Sequence, residues 1–430
     1  MAPLAFSAPQ KDGFRKIMSD AVASKSTPAV FFGVTSADGL IYSHTEGKKL
    51  VDDPTSADID EDTVFWLCSQ TKLITTIAVL QLIEQGKIDL DTLAESVLPE
   101  LANPVLVTGY DSETGRPSTT IPAKGKITLG HLLNHSSGLD DSGIKRTQAN
   151  GMSELYSSVD VATFFEMMKG SLPGLPLKFE PGTDFNYAVS TNCVGFIIER
   201  LSGKSSEQYS CVSIFSVGSI LVQYPQPRPH LRPPRYHICI LLPDTASEGA
   251  LPASVVPHKS GVIESWKGPP VIDQDPAHVP VLFGSAGLYS SQKDYLTVLR
   301  HLLQIKAGVA TSPILTAASV DKLFEPTLPS VGAKTLDMFA AAVFAPYLEV
   351  PAGGAQFSRG LFVNTVDVPG KRKAGSGAWG RWANTSFFVD PTTGVGAVFG
   401  TQLAPPGDKD HNQLLDALER ALYAALSAES

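Results

Sequence analysis

Phe14, Ile17, Met18, Ala21 and Val22 recur at spacings of three and four, which predicts an amphipathic helix near the start of the chain. Two apolar runs follow, Val30-Phe31-Phe32-Gly33-Val34 and Leu40-Ile41-Tyr42, and read as strands. Asp38-Gly39 between them favours a tight hairpin turn. The stretch from Leu73 to Ile83 differs in kind. It is apolar all round a helix, so it predicts a helix buried on every side, with Gly86 as its stop signal. Residues 127–139 read as a short helix ending at Gly138, and 194–201 as another. Tyr295, Val298, Leu299 and Leu302 mark one face of a helix over 291–303. Strands at 385–389 and 396–399 flank the turn Asp390-Pro391-Thr392-Thr393-Gly394, and Leu414, Leu415, Leu418 and Leu422 stripe a closing helix.

Strand hairpins at both ends of the chain imply one antiparallel sheet assembled from the two termini, with the terminal helices packed on it. The expected class is α/β of the α+β kind, an antiparallel sheet flanked by helices with an inserted, mainly helical subdomain. The expected division is a sheet subdomain of 1–66 and 281–430, and a helical subdomain of 67–280. No internal repeat is visible.

Composition narrows the functions open to this architecture. At 430 residues, 43% hydrophobic and 18% charged, the chain can bury a large core. A net charge of −9 argues against nucleic acid as a partner. Cys68, Cys193, Cys211 and Cys239 are too few and too scattered for a disulfide framework. No apolar run is long enough to cross a bilayer, and the N-terminal apolar run is short and lacks a basic start. These features set the expectation of a cytoplasmic protein without membrane contact. One segment stands apart. Residues 211–243 hold no acidic residue but crowd six prolines with Arg228, Arg232 and Arg235. It reads as a degenerate insertion or retained intron, with a solvated loop or a proline-rich recognition segment as the other readings.

The candidate chemistry lies at the head of the buried helix. Ser69-Gln70-Thr71-Lys72 places a hydroxyl and an amine three residues apart, on one helix face. A lysine held against a buried helix sheds hydration, which favours the free amine and lets it act as a base toward the hydroxyl. Ser142/Lys145, Ser290/Lys293 and Ser319/Lys322 share the spacing, but none heads a helix of this kind. His131 and His135 have the i, i+4 spacing of a zinc pair, yet no Glu follows His131, so no metal is assigned. No nucleophile elbow, Walker or dinucleotide motif is present, and no cofactor is implied.

Five phrases occur in a shared order: Ser69-Gln70-Thr71-Lys72, then Ile127-Thr128-Leu129 with His135-Ser136-Ser137-Gly138-Leu139, then 179–187 ending Asp184-Phe185-Asn186-Tyr187, then 284–290, and 375–380 ending Trp379-Gly380. In these the chain resembles the serine β-lactamase-fold superfamily, in particular its class C-like branch. It is similar to fungal transesterases of the lovastatin side-chain acyltransferase type and to related esterases. The resemblance covers most of the chain outside 211–243 and implies a β-lactamase/DD-peptidase-like fold. It implies that Ser69, Lys72 and Tyr187 are catalytic and that Tyr187 shuttles the serine proton. It implies an oxyanion site formed by the Ser69 and Trp382 N–H groups beside Gly380. Trp379 stands where lactamases carry a lysine, which implies an apolar wall, and Val189 replaces an asparagine of their Tyr-x-Asn phrase. Arg381 falls where glycine is usual, and Lys371-Arg372-Lys373 lies nearby as a candidate anion anchor.

The expected function is serine acyl transfer through acyl-Ser69, from a thioester or ester to a small hydroxylated secondary metabolite. An acyl carrier protein or polyketide synthase is the candidate donor. A carboxylesterase, a β-lactamase and an inactive scaffold are the alternatives.

Overall fold

The computed structural model describes residues 4–145, 153–210, 213–214, 255–257, 263–265, 279–380, 382–404 and 406–428. Segment 211–243, apart from 213 and 214, and Arg381 lie outside the described residues. The main sheet has seven antiparallel strands, in the order Ala355–Phe357, Phe362–Asn364, Gly377–Gly380, Ser386–Asp390, Val395–Gly400, Ala29–Ser36 and Leu40–Gly47. The first and last parts of the chain therefore meet between its fifth and sixth strands, where Phe31 faces Gly400 and Ser36 faces Val395.

Every residue of Ala29–Ser36 is buried, because both faces of the sheet are covered. Successive strand side chains point to opposite faces. Phe32 packs on Phe14 of the first helix, Ala8–Ala23, and stacks on Phe399 at 5.0 Å. Phe388 of the same layer meets Tyr423 of the closing helix, Lys409–Ser427. The opposite face carries Gly33, where a Cβ would come within 2.9 Å of Leu296 in the helix Gln292–Lys306, and Phe387, 5.2 Å from Tyr295 of that helix. Gly33 thus lets the helix approach the strand closely.

The central helix, Thr71–Glu84, is buried from Thr71 through Leu82, as its all-round apolar pattern predicts. Gly86 adopts φ +69° one residue past the Gln85 cap, a left-handed geometry glycine takes without strain. The helix packs on Ser190–Ser202.

The stretch 127–139 departs from expectation. Its helix spans only Leu129–Leu133. The Asn134 side chain accepts from the Ser136 N–H and hydroxyl, and His135 turns into the left-handed region at φ +60°. A local side-chain bond there replaces the helical ladder. Elements without a clear sequence signal include the hairpin Val105–Tyr110 with Pro117–Pro122, the helix Ser330–Phe344 and the two outer strands at 355–364.

Candidate active site

The short strand Val64–Trp66 pairs with Tyr289–Ser291, and Leu67 N–H donates to Leu288 O at 2.9 Å. The chain then turns sharply. Cys68 takes φ +51°, a conformation that costs a non-glycine residue roughly 1–3 kcal/mol and that recurs at functional sites. Ser69 sits in the 3₁₀ turn Cys68–Gln70 rather than inside the α-helix, which begins at Thr71. The three-residue spacing still brings the pair together. Lys72 Nζ donates to Ser69 Oγ at 3.2 Å and to the carbonyl of Ser285 at 2.9 Å. Ser69 is 7% exposed and Lys72 4%.

Tyr187 reaches the serine from across the site, with its hydroxyl 2.9 Å from Ser69 Oγ. Two of the sequence phrases lock together to hold it. Gly182 N–H donates to Ser136 O at 2.8 Å, Asn186 N–H to His135 O at 2.9 Å and Lys178 N–H to Gly138 O at 2.8 Å. Gly138 has φ +79°, and a side chain there would run into the Phe179 carbonyl. Asn186 Nδ2 adds a bond to Leu139 O at 2.7 Å.

The third element is the strand Gly377–Gly380, which lies against the Cys68–Gln70 turn. Gly380 pairs with Ser386, and any Cβ on it would strike the backbone of Thr385 and Ser386. Trp382 follows with φ +65°, its side chain half-buried on the cluster of Val64, Trp66, Cys68, Ala286, Tyr289 and Ala383. Trp379 corrects the expectation of an apolar wall. It is 1% exposed and offers a substrate little surface. Its indole N–H instead donates to the Tyr187 hydroxyl at 3.2 Å, and its ring meets the phenol edge to face at 5.0 Å.

Ser69 and Trp379 therefore both hold the Tyr187 hydroxyl, and Lys72 Nζ lies 4.9 Å from the Tyr187 ring centroid. Ser285, which anchors Lys72 through its carbonyl, has its own N–H held by Asn192 Oδ1 at 3.0 Å and its hydroxyl 3.0 Å from that of Tyr156. Burial pushes the Cys68 thiol up to about 11, against the opposing pull of Lys72, so it stays protonated beside the serine. Burial, reinforced by Lys72, lowers His135 well below the usual histidine range.

His131 and His135, to which no metal is assigned, meet different surroundings. His131 accepts from the Thr128 N–H through Nδ1, while His135 lies beyond the helix end against Tyr187. One further expectation changes: Lys371 and Arg372 cannot anchor a substrate anion. Both are buried in a network with Glu419 and Asp416 of the closing helix, and Lys373 pairs with Asp367. Asn192, Tyr156 and His135 carried no assigned role in the sequence. Ser285 lies inside a phrase that marks the family, but only the fold shows that its carbonyl faces Lys72.

A Ser-x-x-Lys turn facing a tyrosine beside an antiparallel sheet is the arrangement of a serine acyl-transfer enzyme. The chain belongs to the β-lactamase family, whose sequence profile matches residues 14–421. Acyltransferase calJ of Penicillium decumbens is 30% identical over 397 residues, covering 89% of this chain and 86% of the relative. Lovastatin esterase of Penicillium rubens is 29% identical, covering 87% and 89%. Monacolin J acid methylbutanoyltransferase of Aspergillus terreus is 27% identical, covering 96% and 94%. Among solved structures, a mutant simvastatin synthase from Aspergillus terreus matches with a TM-score of 0.73 at 25% identity, covering 98% of this chain and 96% of that one. A penicillin-binding protein homologue from Pyrococcus abyssi shares the fold at a TM-score of 0.62 and 16% identity, covering 94% and 76%. No helix among the described residues is long and apolar enough to cross a membrane.

Proposed function

We propose that this enzyme transfers an acyl group through acyl-Ser69 to a hydroxylated secondary metabolite. The observation that carries the reading is the convergence of Lys72 Nζ, at 3.2 Å, and the Tyr187 hydroxyl, at 2.9 Å, on one nearly buried serine oxygen. As Oγ attacks the carbonyl carbon, its proton passes to the Lys72–Tyr187 pair. The Ser69 and Trp382 N–H groups receive the oxyanion, a role supported by the packing of the Gly377–Gly380 strand against the serine turn. Collapse breaks the bond to the leaving thiol or alcohol, which takes the proton back. An acceptor hydroxyl then repeats the sequence on acyl-Ser69.

The relatives named as acyltransferases support transfer, with an acyl carrier protein or polyketide synthase as the donor class. The relative named as an esterase supports hydrolysis as the second reading. The unpaired thiols of Cys68 and Cys193 fit a cytoplasmic location. Intact mass after mixing with short acyl thioesters and p-nitrophenyl esters tests the proposal. The wild-type protein should gain one acyl mass, and added alcohol should discharge it as an ester. Ser69→Ala should gain none. Labelling that persists in Ser69→Ala would refute the nucleophile assignment.

A further inference from the structure

We infer that His135 is a positioning residue for this reaction, its ring bracing the Tyr187 phenol so that the hydroxyl stays on Ser69. The inference rests on the role proposed above for Tyr187.

His135 is 1% exposed, and its Nδ1 has no hydrogen-bond partner among the described residues. Its surroundings are aromatic. The Tyr187 ring lies 4.9 Å away, Phe357 5.2 Å and Phe185 6.0 Å. Among the described residues, the one charge acting on it is Lys72 of the central helix; the segment of Phe185 and Tyr187 and the strand of Phe357 present no charge to it. An imidazole so enclosed stays neutral, and it makes no hydrogen bond to Ser69, Lys72 or the Tyr187 hydroxyl. It therefore takes no part in moving the proton. What it does touch is the body of the group that moves it.

Tyr187 is restrained from several sides. Ser69 and the Trp379 indole hold its hydroxyl. Trp379, His135 and, at 5.7 Å, Phe339 enclose its ring. Of these, His135 alone also grips the backbone beside the tyrosine, because its carbonyl accepts the Asn186 N–H at 2.9 Å. The left-handed turn at His135, φ +60°, makes both contacts available from one residue. Removing the ring leaves an unfilled space behind the phenol, into which the phenol can tilt. A misplacement of about 1 Å at a reacting group costs on the order of 10²-fold in rate.

A double-mutant cycle on p-nitrophenyl butyrate tests this. His135→Asn removes the ring while keeping a residue type that tolerates the left-handed turn. It should lower kcat by about 10- to 100-fold with KM within about threefold of wild type. In a Tyr187→Phe background the same change should cost less than about threefold, because the hydroxyl it positions is gone. His135→Phe, which restores an aromatic ring, should recover most of the loss. Equal penalties in both backgrounds, or a silent His135→Asn, would overturn the inference, as would a folded His135→Phe as impaired as His135→Asn. If Tyr187→Phe alone kept full activity, the failure would lie instead with the proton-shuttle reading beneath it.

Discussion

Replacing Glu419 by glutamine should destabilise the fold sharply while leaving substrate preference untouched. Glu419 is 0% exposed and accepts from Arg372 Nε at 2.8 Å and Nη2 at 2.6 Å, with Lys371 Nζ at 3.4 Å. Burial is the largest influence on Arg372 and opposes its charge, but Glu419 together with Tyr347 and Tyr423 outweighs it and raises the guanidinium pKa. Glutamine keeps the shape, yet it turns an amide N–H₂ or a neutral oxygen toward a cation that water cannot reach. Lys371 retains Asp416 and the Tyr347 carbonyl, so Arg372 carries most of the loss. Breaking a buried ion pair costs about 3–5 kcal/mol. An unfolding entropy near 2.1 cal/mol/K per residue scales to roughly 0.9 kcal/mol/K for a chain of this length, so Tm should fall by about 3–6 °C. Differential scanning calorimetry at pH 7 reads the shift. Well below Tm, the ratio of kcat/KM for an anionic and a neutral ester should match wild type. A shift under 1 °C would mean that Arg372 is solvated. A selective loss on the anionic ester would return Lys371 and Arg372 to the substrate site.

Trp379→Phe should keep the ring contact and lose the N–H bond to Tyr187, worth about 0.5–1.5 kcal/mol, or roughly 2- to 12-fold in the acylation burst. No change, or a loss beyond a hundredfold, would refute the hydrogen-bonding role. The fold should also lose stability as pH falls below about 6.5. His135 is kept neutral in the fold, by burial first and Lys72 second, whereas the unfolded chain binds a proton there, and His131 and His301 shift in the same direction. The unfolded state thus holds more protons, and stability drops by up to about 1.4 kcal/mol per pH unit and per buried histidine. The fall in Tm between pH 7.5 and 5.5 should be smaller in His135→Phe than in wild type; an equal fall would show that His135 is not the proton-linked group.

The hydrophobic pattern determined much of this protein by itself. The period-3.6 stripes, the all-round apolar run after Ser69 and the two hairpins are local signals, so the terminal helices, the buried helix and the sheet strands of the two hairpins are legible in the amino-acid sequence alone. So are the serine and lysine, because one helical turn brings them together at almost any tertiary arrangement. Tyr187 is reachable only through the order of the phrases, since 118 residues separate it from the serine it meets. The outer strands at 355–364 are three residues each, too short to show a period, and form only where a neighbouring strand supplies the partner. Burial and charge pairing belong to the tertiary structure alone. Trp379 reads as a wall in a linear phrase and becomes a buried hydrogen-bond donor once the strand is placed. Lys371 and Arg372 read as an exposed basic cluster until the closing helix brings Glu419 and Asp416 against them. His135 sits in a family phrase, but only the packed fold sets its ring against the tyrosine. Side-chain identity states what a group can donate or accept; the partners it finds are decided by contacts distant in sequence.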